Sequence, residues 1–146
     1  MALKINISNW KGKKVLVAPL DWGLGHATRC IPIIKEIIAA GAEVWLAGER
    51  NQKELLQQEF PQLPFLELTG YRITYANIGF RIKIFLQIPK ILRAIRRENS
   101  WLKLQMNTHH FDFVIADNRY GLWNKNTFCI FITHQLLIKT FFGRLS

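Results

Sequence analysis

The sequence predicts an α/β fold, a parallel sheet with helices on both faces. Residues 13–19 predict the first strand, and 15–19 within it form a continuous apolar run, as a strand covered on both sides requires. A turn with two glycines and a helical stripe follow directly, and strand-like and helix-like segments then alternate over short links. A further apolar run at 111–117 (Phe-Asp-Phe-Val-Ile-Ala-Asp) restarts the strand pattern after a long helical stretch.

Each element has its own signal. From His26 onward, Ile33, Ile34, Ile37 and Ile38 keep helical spacing and predict a helix ending near Ala40, with Gly41 as the residue that turns the chain out. Pro32 is placed early in this helix, where a missing N–H costs least. Residues 43–47 predict the second strand, 50–60 a short polar helix stopped by Pro61, and 65–68 the third strand. A long helix is expected over 78–107, kinked or restarted at Pro89, with Phe85, Ile88, Leu92, Ile95 and Leu102 at helical spacing. Residues 128–133 predict the last strand, and 118–127 leave no room for a full crossover helix before it. No repeat or low-complexity segment is visible.

The chain of 146 residues is long enough for one domain with a real core. We read residues 1–12 as an amino-terminal extension and 13–146 as that domain. Its 49% apolar and 21% charged residues argue against disorder. Cys30 and Cys129 lie in apolar segments and read as buried thiols of a reducing compartment. No metal-ligand spacing appears: His109 and His110 are adjacent, and His134 has no Cys or His at ligand spacing. Residues 1–14 are mixed and polar, without a leader's apolar core, and no apolar run approaches the roughly 18–20 residues of a membrane span. The expected location is cytoplasmic, at most peripheral on the inner face of a membrane.

The net charge of +10 is unevenly placed: residues 1–70 hold eight Lys or Arg against seven Asp or Glu, and residues 71–146 hold twelve against three. The excess gathers in the long helix, where Arg81, Lys83, Lys90, Arg93, Arg96 and Arg97 interleave with apolar residues. Two readings fit. The cations are the solvated face of a core-packing helix, or they meet anionic headgroups, which contribute about 1 kcal/mol per nearby Lys or Arg. Nucleic acid is a poor match, because no groove-reading motif and no interleaved aromatic pattern is present.

Open parallel sheets bind ligands at the carboxyl ends of their strands, near the switch in strand order. His26 after the first strand, Asp117 at the end of the fourth and His134 after the fifth fall at such ends. A His–carboxylate pair is suited to base catalysis, since the carboxylate fixes the tautomer and stabilises the imidazolium that forms. Plainer roles also fit: His26 capping its helix or packing on Trp22, Asp117 and Asn118 forming a turn, His134 serving structure, and Asp21, Trp22 and Arg29 shaping the turn. Gly23 and Gly25 suit a tight turn with close ligand approach. The same turn supplies two glycines of a dinucleotide G-x-G-x-x-G with Thr28 in the third place, and Glu49 stands roughly where a ribose-binding acid would. That match is weak.

Leu-Asp-Trp-Gly-Leu-Gly-His-Ala-Thr-Arg at 20–29 resembles the first loop of GT-B glycosyltransferases, particularly a bacterial group related to the peptidoglycan N-acetylglucosaminyltransferase and the UDP-glycosyltransferases. Residues 115–121 (Ile-Ala-Asp-Asn-Arg-Tyr-Gly) and 131–135 (Phe-Ile-Thr-His-Gln) look like further segments of that group. The resemblance implies the Rossmann-like, acceptor-binding amino-terminal half of a GT-B fold. It implies His26 as the base that deprotonates an acceptor hydroxyl, Asp117 as its support, and Gly23, Gly25, Asn118 and His134 as substrate-binding residues. It implies a nucleotide-sugar co-substrate, a UDP-sugar by this family's usage, and no bound cofactor or metal. A membrane-resident or lipid-linked acceptor fits the family's docking on the cytoplasmic leaflet through a basic, apolar patch. The partners implied are a sugar acceptor and a donor-binding domain or subunit, because nothing here supplies the second domain. The apolar segment 135–142 begins as the chain stops, so we expect a truncated or split enzyme. The alternatives are a noncatalytic membrane- or partner-binding module, a dinucleotide-binding oxidoreductase fragment, and a nucleotide-sugar epimerase.

Overall fold

A computed structural model describes the backbone of residues 10–71 and 80–133 and, within these, the side chains of all but residues 80–87. His134 therefore lies outside the described residues, as do the side chains of Arg81 and Lys83. The elements are β1 (Lys14–Pro19), α1 (Leu24–Ala39), β2 (Glu43–Gly48), α2 (Arg50–Glu59), β3 (Phe65–Glu67), α3 (Phe80–His109), β4 (Phe113–Asp117) and β5 (Phe128–Ile132). The strands form one sheet in the order β3-β2-β1-β4-β5, and every pairing is parallel. This is a Rossmann-like α/β fold.

The two faces of β1 explain its continuous apolar sequence. Val15 and Val17 belong to one core with Val44, Leu46 and Ile115 and with Ala27, Cys30, Ile34 and Ile37 of α1. Leu16 and Ala18 belong to the other, with Ala47, Val114, Ala116 and Leu102 of α3. Burying each such aliphatic side chain contributes roughly 1.5–3 kcal/mol, so a polar residue anywhere along β1 would be costly. Trp10, inside the segment read as an extension, stacks on Phe113 with centroids 4.5 Å apart and is buried, so packing begins before β1.

Helix α1 starts at Leu24, two residues before the expected start, because Gly23 at φ 76° turns the chain directly off β1. Pro32 consequently lies in the middle of the helix, not in its opening turn. Pro32 is exposed, and the buried stripe of Ala27, Cys30, Ile34 and Ile37 on the same helix outweighs the missing backbone bond. The carboxyl end follows expectation: Gly41 at φ 81° donates to the Ile38 carbonyl (2.9 Å) and Ala42 to that of Ile37 (3.3 Å), a Schellman closure.

Helix α3 continues through Pro89 as one helix of 30 residues, so of the kink or restart expected there the restart does not occur. Its inward face is Ile91, Ala94, Ile95, Glu98, Trp101 and Leu102, whereas Ile88 and Leu92 are 40% and 48% exposed. The expected stripe thus rotates: Leu102 and Ile95 pack, and Ile88 and Leu92 stand among the cations.

Helices α1 and α2 cover one face as the chain moves outward from β1 through β2 to β3. Helix α3 returns it across the other face to β4, on the far side of β1. Strand order therefore reverses between β1 and β4, and open parallel sheets bind ligands at the carboxyl ends beside such a switch.

Candidate functional site

Register brings the site together. Pro19, the last residue of β1, is the partner of Asp117, the last residue of β4. Gly23 then opens α1 over the carboxyl end of the sheet, with no side-chain cap on its first turn. His26 therefore does not cap the helix. Its imidazole turns toward β4, and Nδ1 lies 2.9 Å from Asp117 Oδ2, although 91 residues separate them in sequence.

A third group joins them. Arg29, one turn after His26, donates from Nη2 to Asp117 Oδ1 at 2.6 Å and Oδ2 at 2.7 Å, and the same nitrogen lies 2.9 Å from His26 Nδ1. The Asp117 side chain is fully buried, that of His26 is 12% exposed and that of Arg29 is 37% exposed. The Asp117 carboxylate raises the Arg29 pKa by accepting its hydrogen bond, so this guanidinium is a fixed charge. Nδ1 can donate to Asp117, which leaves Nε2 as the basic ring nitrogen, or accept from Arg29 Nη2, which puts the ring proton on Nε2. Sequence reading had Arg29 as a turn-shaping residue. The signal for its true place was its spacing of three from His26, which sets both on one helix face.

The residues around the pair are held mainly by backbone. Asn118 takes φ 54°, a left-handed conformation that Asn tolerates, and its N–H donates to Ile132 O at 3.0 Å. It is 6% exposed, so its first duty is to end β4 with Asp117 facing the crevice. Gly25 falls in the first turn of α1, and a Cβ there would meet no atom of the described residues within 4 Å, so among these residues the space over the turn is open. Trp22 and Leu24 flank the turn at 43% and 48% exposure and give the crevice an apolar lip.

Beneath the turn lies a buried polar network that sequence reading missed. Arg119 donates from Nε to the Pro19 carbonyl at 2.7 Å and from Nη1 to Glu98 Oε1 at 2.7 Å, and both side chains are almost completely buried. Glu98 Oε2 accepts from the Tyr71 hydroxyl at 2.7 Å and from Gly121 N–H at 3.1 Å, and the Tyr71 oxygen accepts from Tyr120 N–H at 3.0 Å. Burial, first, and the Glu98 carboxylate raise the Tyr71 pKa, keeping the phenol a donor. A Cβ on Gly121 would overlap the Ile95 carbonyl oxygen and the Glu98 side chain, so only glycine lets this loop approach α3. The network ties the exits of β1 and β4 and the segment after β3 to one helix. The clue in sequence was Glu98, an acid set directly after Arg96 and Arg97.

Glu49, placed by sequence near a ribose-binding position, accepts from Gly70 N–H at 2.7 Å and forms a capping box with Gln52 at the start of α2. Its carboxylate is engaged by backbone. Lys90, Arg93, Arg96 and Arg97 are all exposed on α3. Among the described residues no helix is long and apolar enough to cross a membrane, and no three His, Cys, Asp or Glu side chains converge.

No protein-family model matches the chain, and no curated protein matches it either. Solved structures do. A glycosyltransferase of kitacinnamycin aligns at TM-score 0.63 and 13% identity, over 82% of this chain and 30% of its own. The carboxyl-terminal domain of a hydrogenase from Pyrococcus furiosus aligns at TM-score 0.54 and 11% identity, over 90% of this chain and 98% of that domain. The chain thus spans about a third of the length of the glycosyltransferase it matches. These likenesses establish the Rossmann-like fold, which a glycosyltransferase domain and a hydrogenase domain share, and the site must argue function.

Proposed function

We propose that this chain is the acceptor-side domain of an inverting GT-B glycosyltransferase, which moves a sugar from a nucleotide-sugar donor, a UDP-sugar, to a hydroxyl acceptor. The observation that carries the reading is the 2.9 Å contact between His26 Nδ1 and Asp117 Oδ2 at the strand-order switch. His26 Nε2 takes the acceptor hydroxyl proton as the oxygen attacks the anomeric carbon. The nucleoside diphosphate departs with the bonding electron pair, and the imidazolium keeps its Nδ1–H bond to Asp117. Arg29 pins the carboxylate so that its oxygens stay aimed at Nδ1. The open space over Gly25 and the exposed Trp22 and Leu24 admit an acceptor with an apolar portion beside the base. The donor is held by a second domain, in the adjoining chain or in a separate subunit.

The setting we propose is the cytoplasmic face of a membrane. Ile88 and Leu92 are exposed on the same helix as the cations Lys90, Arg93, Arg96 and Arg97, the composition of a surface that lies on anionic lipid.

The test is transfer by the chain combined with its donor-binding domain. His26→Ala lowers kcat by about 10²–10⁴-fold while the donor KM changes little. Full turnover by His26→Ala would remove the base from the reading.

A further inference from the structure

A second concavity opens at the same carboxyl end of the sheet, on the α3 side. It has a volume of about 230 Å³ and is lined by Tyr71, Lys90, Arg93, Ala94 and Arg97. The three cations stand at i, i+3 and i+7 of one helix, so their side chains converge on one stripe. Neither arginine has an ion pair among the described residues, and the neighbouring acid, Glu98, is turned inward to Arg119. The helix thus divides its charges, with its carboxylate buried beneath the pocket and its guanidinium groups at the pocket's wall. Arg93 and Arg97, one helical turn apart, repel one another, and an anion between them relieves that repulsion.

We infer that Lys90, Arg93 and Arg97 form a binding pocket for a phosphate or diphosphate group. Two guanidinium forks match phosphate oxygens by paired N–H donors, and Lys90 adds a point charge. The volume falls below the roughly 300–1,000 Å³ of sites that take drug-sized ligands, so the pocket suits the anionic group alone and not a whole nucleotide sugar. Tyr71 joins it to the candidate catalytic crevice. The ring lines the pocket, and the hydroxyl accepts from Tyr120 N–H in the loop that leaves Asp117. The assignment of this anion to the acceptor rests on the transferase reading; the binding of phosphate to the pocket does not.

The experiment is titration of the full chain with inorganic pyrophosphate by calorimetry at about 150 mM salt, where diffuse surface attraction is screened. Saturable binding is expected at one site, weakened roughly tenfold by Arg93→Gln or Arg97→Gln and abolished in the double variant. All these side chains are exposed, so circular dichroism should show an unchanged fold. Arg50→Gln, which removes a surface cation paired with Glu54 on α2, should bind as the unaltered chain does. His26→Ala should also keep full pyrophosphate binding, which separates failure of this site from failure of the base. Sedimentation with phosphatidylcholine vesicles containing phosphatidylglycerol distinguishes the phosphate's source. Pelleting that pyrophosphate competes away places a lipid phosphate in the pocket, and pyrophosphate binding without pelleting places a soluble one. Absence of pyrophosphate binding, or equal binding by the double variant, would overturn the pocket.

Discussion

Pro19 and Asp117 stand opposite each other at the last rung of the β1–β4 ladder, and this pairing determines what His26 can reach. Strand order reverses between these two strands, so among the described residues no connection crosses from one carboxyl end to the other. A helix leaving β1 through Gly23 then carries its first-turn side chains straight over β4. His26 and Arg29 meet Asp117 because a parallel ladder, a left-handed glycine and a helical spacing of three agree in one place. The Arg119–Glu98 pair below holds the Pro19 carbonyl and thereby the same rung from the other face of the sheet.

Arg29 and Asp117 should be energetically coupled. Asp117→Asn leaves the guanidinium facing an amide, and Arg29→Gln leaves a buried carboxylate with one partner fewer; each should destabilise the fold by about 1–3 kcal/mol. The double variant should cost less than the sum, because neither charge is then stranded. Urea unfolding of the four proteins measures the cycle. Strict additivity would show that the 2.6 Å contact contributes nothing beyond its separate groups.

The Glu98–Arg119 pair predicts a sharper asymmetry. Both side chains are buried, so Glu98→Gln strands a guanidinium inside the protein and should cost about 3–5 kcal/mol. Replacing both by apolar residues of similar volume, Glu98→Leu with Arg119→Met, should recover much of that loss in denaturant melts. The double replacement should still impair transfer in the assembled enzyme, because the Pro19 carbonyl and the loop after Asp117 lose their tether.

Much of this architecture was legible in the sequence, for specific reasons. The strands announced themselves because β1 and β4 are apolar on both faces, and Gly41 marked the end of α1 because few other residues take its φ of 81°. His26 and Asp117 were legible together because strand ends in a parallel sheet share one edge. Arg29 and Glu98 were harder to read, since a charged residue on a helix is ordinarily solvated, and neither the spacing of Arg29 from His26 nor the arginines before Glu98 names a partner 88 or 21 residues away. The orientation of α3 was illegible because Ile88, Ile91, Leu92 and Ile95 form one narrow i, i+3, i+4, i+7 stripe, which points to one side of the face that actually packs. Packing against Leu20 and Tyr71, not periodicity, chooses Ala94 and its neighbours as the inner face.

The cysteines should differ in reactivity. Burial pushes the Cys30 thiol up to about 12, and it is closed off within α1 against the sheet. Burial also raises Cys129, but less completely, because its residue is only half-buried and Asn124 N–H donates to its sulfur. Iodoacetamide at neutral pH should label Cys129 slowly and leave Cys30 untouched until denaturant is added, as peptide mass mapping would show. Labelling of Cys30 at an equal rate would mean that α1 detaches from β1 far more readily than its packing allows.

Asp112 predicts an acid-dependent loss of stability at the opposite end of β1. Its Oδ2 accepts from Lys14 N–H at 2.9 Å and its Oδ1 from Lys13 Nζ at 3.0 Å, which ties the start of β1 to the residue before β4. The Lys14 N–H, chiefly, holds the Asp112 carboxyl below its ordinary 3.8. A depressed carboxyl stabilises the fold fully above the unfolded value and loses that contribution as pH falls through the folded one. Asp112→Asn should therefore cost about 0.5–1 kcal/mol at neutral pH, a modest figure because the side chain is 37% exposed. The gap between the two proteins should hold constant on the neutral side and close as pH drops below 3.8, in urea melts taken along the acid range. A gap that persists unchanged into acid would assign the cost to the amide's shape and not to the lost charge.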